Sequence, residues 1–339
     1  MSNIENLDEI LNSFKVKANC ISYQKIRNVS LYDLRLAPGT RVKELQKFSS
    51  EISLAMKAKA TPIVRIKPEL GIVRLEIIDE DPYKISFFDE FSKIKKQNGD
   101  MPMYFGNSID GDDIWVDMIK NPHLLIAGCT GSGKSTLLHV LMANALGLSN
   151  TKIYLIDSKN VEFKEYETKF DNKVSIADTY DSALNMLNFV HKEMEFRYSL
   201  MRDRELSSQF FGTAHPEFPQ ILFIIDEFAD LIMQDVNKQF YTMLCKLAQK
   251  CRAAGIFCIL ATQRPSVDII SGSIKANFPA RISCQVASGI DSKVILDSVG
   301  AELLAGRGDA IIKNYNHNYQ RFQVAHTTPE EVCKFYAEK

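Results

Sequence analysis

Ile4, Leu7, Ile10, Leu11 and Phe14 recur at helical spacing, so the chain opens on an amphipathic helix. Such a face ordinarily packs on its own domain; docking to a partner or a neighbouring subunit is the other reading. Residues 30–39, SLYDLRLAPG, alternate Tyr32, Leu34 and Leu36 as a strand and close on a Pro-Gly turn. Val42, Leu45, Phe48 and Ile52 return to helical spacing, and TPIVRIKPELGIVRLEII reads as two strands around a turn. Residues 1–92 are therefore expected to form a small α+β domain. KIKKQNGD, at 93–100, is polar and turn-rich and falls in a linker expected over 93–104.

Beyond it the pattern changes. HLLIAG is a short apolar run, followed by a glycine-rich loop and a helix carrying Leu137, Leu138, Leu141, Met142 and Ala145. KIYLID, ILFIIDE and GIFCILATQRP are further apolar strands, separated by a long amphipathic helix at 182–201 and another at about 237–253. Strands near 281–286, 309–313 and 320–325 complete the set. This alternation predicts an α/β fold, a mostly parallel sheet with helices on both faces, over 105–339.

Composition narrows the class. Of 339 residues, 45% are hydrophobic and 24% charged, as in a soluble globular protein of about two domains. Lysine and arginine number 41 against 42 acids, so any nucleic-acid contact must come from a local patch. The seven cysteines form no C-x2-C pair and lie by no histidine cluster, which argues against zinc and for reduced thiols in a cytoplasmic protein. The N-terminus is polar and acidic, unlike a signal peptide, and no apolar run reaches membrane-span length, so direct membrane insertion is not expected.

The chemistry starts at GCTGSGKST: Gly128, Cys129, Thr130, Gly131, Ser132, Gly133, Lys134, Ser135 and Thr136. This is a P-loop between a predicted strand and a predicted helix. Its backbone N–H groups and the helix N-terminus cradle phosphates; Lys134 reaches the β- and γ-phosphates, and Ser135 offers its hydroxyl to Mg2+. ATP and Mg2+ are the expected ligands. ILFIIDE supplies the acids: Asp226 for Mg2+ and Glu227 to orient and polarise a water, a pairing that favours hydrolysis over switching. Thr262 and Gln263 end the next strand, where a polar side chain can sense the γ-phosphate. A GTPase would carry N-K-x-D, which NKQF and DNKV do not supply. A small-molecule kinase needs only the P-loop; the Asp-Glu pair and the long C-terminal sheet favour an ATPase motor.

HLLIAGCTGSGKS, LIDSKNVEF, FIIDEFADLIM, LAQKCRAAGI, ILATQRPSVDIISGSIKANFPARI and IDSKVILDSVGAELLAGRGD, in this order over about 105–325, resemble the FtsK/SpoIIIE double-stranded DNA translocases. LRLAPGTRVKEL resembles their smaller α domain. The resemblance implies a RecA-like P-loop NTPase core behind a smaller N-terminal α+β domain, and a homo-hexameric ring around double-stranded DNA with ATP between neighbours. It implies that Arg252 is a trans-acting arginine finger, stabilising charge on the neighbour's γ-phosphate. It implies that Arg264 and Lys293 contact the DNA backbone, which carries no sequence information and suits a motor for any sequence. Lys275 reads more simply as a surface lysine.

Two departures stand out. Many family members carry a lysine before IDS; here the residue is Gly289. The N-terminal membrane helices and the C-terminal winged-helix domain of the cell-division members have no counterpart in these 339 residues. A stand-alone motor of a mobile element, plasmid or virus, used for DNA transfer or packaging and loaded by a recruiting partner, is the expectation; a truncated piece of a longer translocase is the alternative. An ATPase of a protein-secretion or conjugation-coupling apparatus, and a nucleotide-gated scaffold without turnover, stay open beside it.

Overall fold

The computed structural model describes residues 3–26, 29–78, 84–94, 101–160, 162–203, 217–314 and 319–338. Leu7 and Leu11 of helix α1 (Asn3–Ser13) are fully buried, as their spacing predicts. They pack on their own domain, beside Tyr32, Leu34 and Leu75 of an antiparallel sheet. That sheet contains β1 (Ala18–Ile26), β2 (Val29–Leu36), β3 (Ile63–Lys67) and β4 (Ile72–Ile78), in the order β1-β2-β4-β3. Helices α2 (Val42–Lys47) and α3 (Ser49–Ala55) bury Leu45 and Ile52 against it. Apolar alternation does not reveal β1, because an irregularity between Cys20 and Ser22 breaks its register and its second half is largely exposed.

The rest of the chain runs through β5 (Ile85–Ser86), α4 (Phe87–Ile94), β6 (Pro102–Ser108), β7 (Asp113–Asp117), β8 (His123–Ala127) and α5 (Lys134–Gly147). It continues through β9 (Thr151–Ile156), α6 (Lys164–Lys169), β10 (Val174–Ala177), α7 (Tyr180–Asp203), β11 (Gln220–Ile225), α8 (Phe228–Gln234) and α9 (Gln239–Lys250). Then come β12 (Ile256–Thr262), α10 (Gly272–Asn277), β13 (Ala280–Cys284), α11 (Gly289–Leu296), β14 (Asp309–Lys313), β15 (Tyr319–His326) and α12 (Pro329–Ala337).

Ile85 and Ser86, which the hydrophobic pattern assigns to the smaller unit, pair with Ala325 and His326 of the large sheet. Phe87 is buried in the same core. The expected linker over 93–104 falls partly on residues 95–100, outside the described residues, and ends inside β6. Most of the polar connection after α7 also falls outside them.

The large sheet has the order β10-β9-β11-β12-β8-β13-β14-β15-β6-β7. Its first half is parallel from β10 to β13, as alternation of strands and helices predicts. From β13 to β7 it is antiparallel. β6 and β7 escaped the sequence pattern, since they form a local hairpin with no helix between them. One face of the sheet packs on α5 and α12, the other on α7 and α9. Helix α5 is buried almost all round, consistent with its lack of a polar stripe. The C-terminal ends of β8, β11 and β12 lie side by side, and open α/β sheets bind ligands at such an edge.

Candidate functional site

Residues 128–133 turn the chain from β8 into α5. Gly131 and Gly133 have φ of +78° and +101°, values that side chains rarely adopt. At Gly128 the constraint is space: a Cβ there would lie 2.4 Å from Ser132 Oγ and 2.8 Å from Cys284 Cβ. The loop is tied to its neighbours through backbone, Gly128 N–H donating to Thr262 O at 3.2 Å and Cys129 N–H to Gln285 O at 2.8 Å. A cleft of about 670 Å³ opens over it, the size of an ordinary ligand site. Cys129, Thr130, Gly131, Gly133, Lys134, Ser135 and Thr136 form its floor.

Lys134 is buried and its ammonium donates to Asp226 Oδ1 at 2.6 Å and to Asp226 O at 2.8 Å. The lysine thus rests on the carboxylate that sequence assigns to Mg2+. The Ser135 hydroxyl and the Asp226 carboxylate are hard oxygen donors of the kind Mg2+ takes alongside phosphate oxygens and water, so this set fits the metal. Asp226 and Glu227 follow directly on β11 and are buried, at 4% exposure each.

Glu227 is fixed from β12. Its Oε1 accepts from Thr262 Oγ1 at 2.6 Å, and both oxygens accept from the Gln263 N–H, at 3.1 and 3.0 Å. The Gln263 side chain in turn accepts from Thr130 Oγ1 at 3.1 Å, linking the acid to the phosphate loop. The structure therefore brings together Lys134, Asp226, Glu227, Gln263 and the loop.

Arg252 is not among them. It is exposed, on the short 3-10 turn Cys251–Ala254 that precedes β12, whereas Gln263 follows that strand. Seven strand residues separate the two ends, about 20 Å at 3.3 Å per residue. One side chain does not span that, so Arg252 cannot serve the P-loop of its own chain. Arg264 and Lys293 are exposed on different elements, the segment after β12 and α11, and neither lines the cleft. Gly289 opens α11, and a Cβ there would lie 3.3 Å from Glu302 Oε1. Lys275 pairs with Asp297 at 2.5 Å. Asp297 also accepts from Arg281 and Lys313; burial pushes its carboxyl up, but these cations hold it well below the usual range.

Sequence gave no role to Lys84, Glu162, Arg307, Gln323 and His326, which form the far wall of the cleft. They come from the β5 region, the loop after β9 and the β14–β15 region, so only sheet pairing could bring them to one place. Cys251 and Cys258, apparently scattered, meet with Sγ atoms 3.7 Å apart beside His123. His123 Nδ1 accepts the Cys258 N–H at 3.1 Å, which puts the proton of a neutral imidazole on Nε2 and makes that nitrogen a donor toward Cys251.

The family model described as FtsK/SpoIIIE family matches residues 90–215 and 209–267, and that of the FtsK alpha domain matches 1–78. DNA translocase FtsK of Treponema pallidum (strain Nichols) is 32% identical over 345 residues, covering 98% of this chain and 43% of that protein. DNA translocase FtsK of Borreliella burgdorferi is 36% identical over 349 residues, covering 98% and 44%. The chain spans about half the length of the curated relatives it matches. Among solved structures, the monomer form of the pCW3 conjugation coupling protein TcpA with ATPγS superposes with a TM-score of 0.67 at 20% identity, covering 98% of this chain and 99% of that one. EssC (ATPases 2 and 3) from Geobacillus thermodenitrificans superposes at 0.60 with 18% identity, covering 76% and 50%. At these identities the likeness is one of fold.

Proposed function

The chain belongs to the FtsK/SpoIIIE family, and from that premise we propose that it is an ATP-driven motor that moves double-stranded DNA through a hexameric ring. The observation that carries the reading is where the residues of the nucleotide site fall relative to Arg252. Lys134, Asp226, Glu227 and Gln263 converge on one loop, while Arg252 is exposed on the opposite edge of the sheet. A neighbouring copy supplying its own Arg252 completes each site. The names of the relatives, DNA translocases over nearly the whole of this chain, support the choice of cargo.

In this reading ATP enters the cleft and draws Lys134 from Asp226 to the β- and γ-phosphates. Ser135 and Asp226 hold Mg2+, which neutralises phosphate charge when bound. Glu227, already oriented by Thr262 and Gln263, takes the proton of the attacking water. Gln263 bridges Glu227 and Thr130, so a change at the phosphates is felt on the segment that carries Arg264. Arg264 and Lys293 grip the DNA backbone.

Two outcomes follow. Lys134→Ala loses nucleotide binding, read by equilibrium dialysis with labelled ATP, because both the phosphate donor and the partner of a buried carboxylate are gone. Arg264→Ala combined with Lys293→Ala keeps basal ATP hydrolysis but loses its stimulation by linear duplex. Its DNA affinity falls with salt less steeply, by about one unit of slope per phosphate contact removed. A double variant stimulated like wild type would remove these residues from the DNA path. If duplex DNA fails to stimulate the wild-type protein at any salt, the cargo is a protein and the site serves a secretion or coupling machine.

A further inference from the structure

Residues 305–309 hold the phosphate loop through backbone hydrogen bonds. Arg307 N–H donates to Gly131 O at 3.2 Å and Gly308 N–H to Ser132 O at 2.8 Å. A peptide unit is planar and trans, so fixing the Ser132 carbonyl on Gly308 also turns the Gly133 N–H to the opposite side. The two loops have no slack: a Cβ on Gly133 would lie 2.3 Å from Gly308 N. The aim of the phosphate-binding amides thus depends on where residues 305–309 sit.

The segment is held by Val324 N–H on Gly308 O at 2.8 Å, by Gln323 Nε2 on Arg307 O at 2.9 Å, and by Asp309. Its Oδ2 accepts the Ala305 N–H at 2.8 Å, closing the loop on itself. Arg321 of β15 grips the same carboxylate with two nitrogens, Nε to Oδ1 at 2.9 Å and Nη2 to Oδ2 at 2.7 Å. A third nitrogen, Nη1, donates to Glu76 Oε2 at 3.1 Å. Glu76 is on β4, in the N-terminal sheet, and its other oxygen takes Arg65 Nε at 2.6 Å. Glu76 and the Arg321 side chain are at most 1% exposed. Two carboxylates and two guanidiniums alternate, so the buried charges balance. Burial pushes the Glu76 carboxyl up, but Arg65 and Arg321 outweigh it and hold it below the ordinary glutamate value.

Two neighbouring residues of β4 reach the motor domain differently. Arg74 donates to Asp110 at 2.7 Å, an exposed pair at the turn between β6 and β7. Among the described residues the Asp110 carboxylate itself makes no bond to residues 305–309, although the Ile109 N–H beside it donates to Arg321 O at 3.2 Å. The Glu76 bridge does lead there.

Resting on the nucleotide-site reading above, we propose that Glu76 is a positioning residue for ATP. Through Arg321 and Asp309 it sets residues 305–309 and so the phosphate-loop amides, making nucleotide affinity depend on how the N-terminal sheet is seated on the motor domain. The chain of bonds runs both ways, so bound nucleotide in turn tightens that seat.

The test measures the dissociation constant of methylanthraniloyl-ATP with Mg2+ in the full chain, with a melting curve for every variant. Glu76→Gln is expected to weaken binding about tenfold, an ordinary coupling between sites, and Asp309→Asn at least as much. The double variant should match the stronger single one, since both cut one path. Asp110→Asn, which weakens a different bridge between the same two units, should bind like wild type. If Glu76→Gln does not fold, Arg65→Gln loosens the same carboxylate from its half-exposed side and should weaken binding two- to threefold by the same coupling, about a third of the larger effect. Equal effects of Asp110→Asn and Glu76→Gln would show loosened packing instead and overturn the proposal, as would additive effects of Glu76→Gln and Asp309→Asn, or unchanged affinity in folded Glu76→Gln. A wild-type protein that binds no nucleotide would overturn the site itself; wild-type binding with an indifferent Glu76 would overturn only this inference.

Discussion

Glu227→Gln binds ATP and keeps it: turnover falls by about 10³-fold, within the usual range for a lost general base, while nucleotide affinity stays close to wild type. The geometry sets this expectation. Glu227 is buried, and its hydrogen-bond donors among the described residues are Thr262 Oγ1 and the Gln263 N–H, not Lys134 or the phosphate loop. Glutamine has the same length and keeps an oxygen for both donors, so the strand ends stay in place. It cannot take a proton from water. Mixing the variant with labelled ATP, then following bound nucleotide and released phosphate separately, should show a stable complex and almost no phosphate. Hydrolysis within tenfold of wild type would move the base to another residue.

Arg252→Ala should lower turnover by about 10³- to 10⁵-fold, as removal of an arginine finger does. The loss should be recovered in part by a second inactive protein. Lys134→Ala has a dead phosphate loop but an intact Arg252; Arg252→Ala has the reverse. At an interface between unlike copies, the working loop of one meets the working arginine of the other. Activity plotted against mixing ratio should therefore rise from near zero at both ends and peak between them. The separation along β12 underlies this expectation, because Arg252 of the same chain would have to span about 20 Å. Full activity of Arg252→Ala alone would remove the finger from this position, and a flat mixing curve would remove the interface.

The phosphate loop was legible because its chemistry is local: nine consecutive residues between a strand and a helix define its shape. Asp226, Glu227 and Gln263 were legible because they end apolar strands, and parallel strands bring their C-terminal ends to one edge. Their mutual contacts could not be read, since Thr262 to Glu227 and Gln263 to Thr130 depend on β12 lying between β11 and β8. Four other strands were harder. β1 is interrupted by a bulge, β5 has only two residues, and β6 with β7 lies outside the strand–helix rhythm that exposed the others. The strands that carry Glu76, Asp309 and Arg321 were read, but not which strands meet, so the far wall of the cleft and the path from Glu76 through Arg321 to Asp309 were invisible. Glu76 and Arg321 are 245 residues apart and look like ordinary strand charges until the two sheets meet. The cysteines are a similar case: Cys251 and Cys258 lie on a turn and the strand that follows it, and only the fold sets them beside His123.

The central claim is movement along duplex DNA, and displacement of a third strand tests it most directly. A linear duplex carrying a fluorescent triplex-forming oligonucleotide is mixed with the protein and ATP. The account predicts release of the third strand by the wild-type chain, on duplexes of unrelated flanking sequence alike, and none by Glu227→Gln or without ATP. Hydrolysis that is indifferent to duplex across a range of salt, with the third strand left in place, would contradict it.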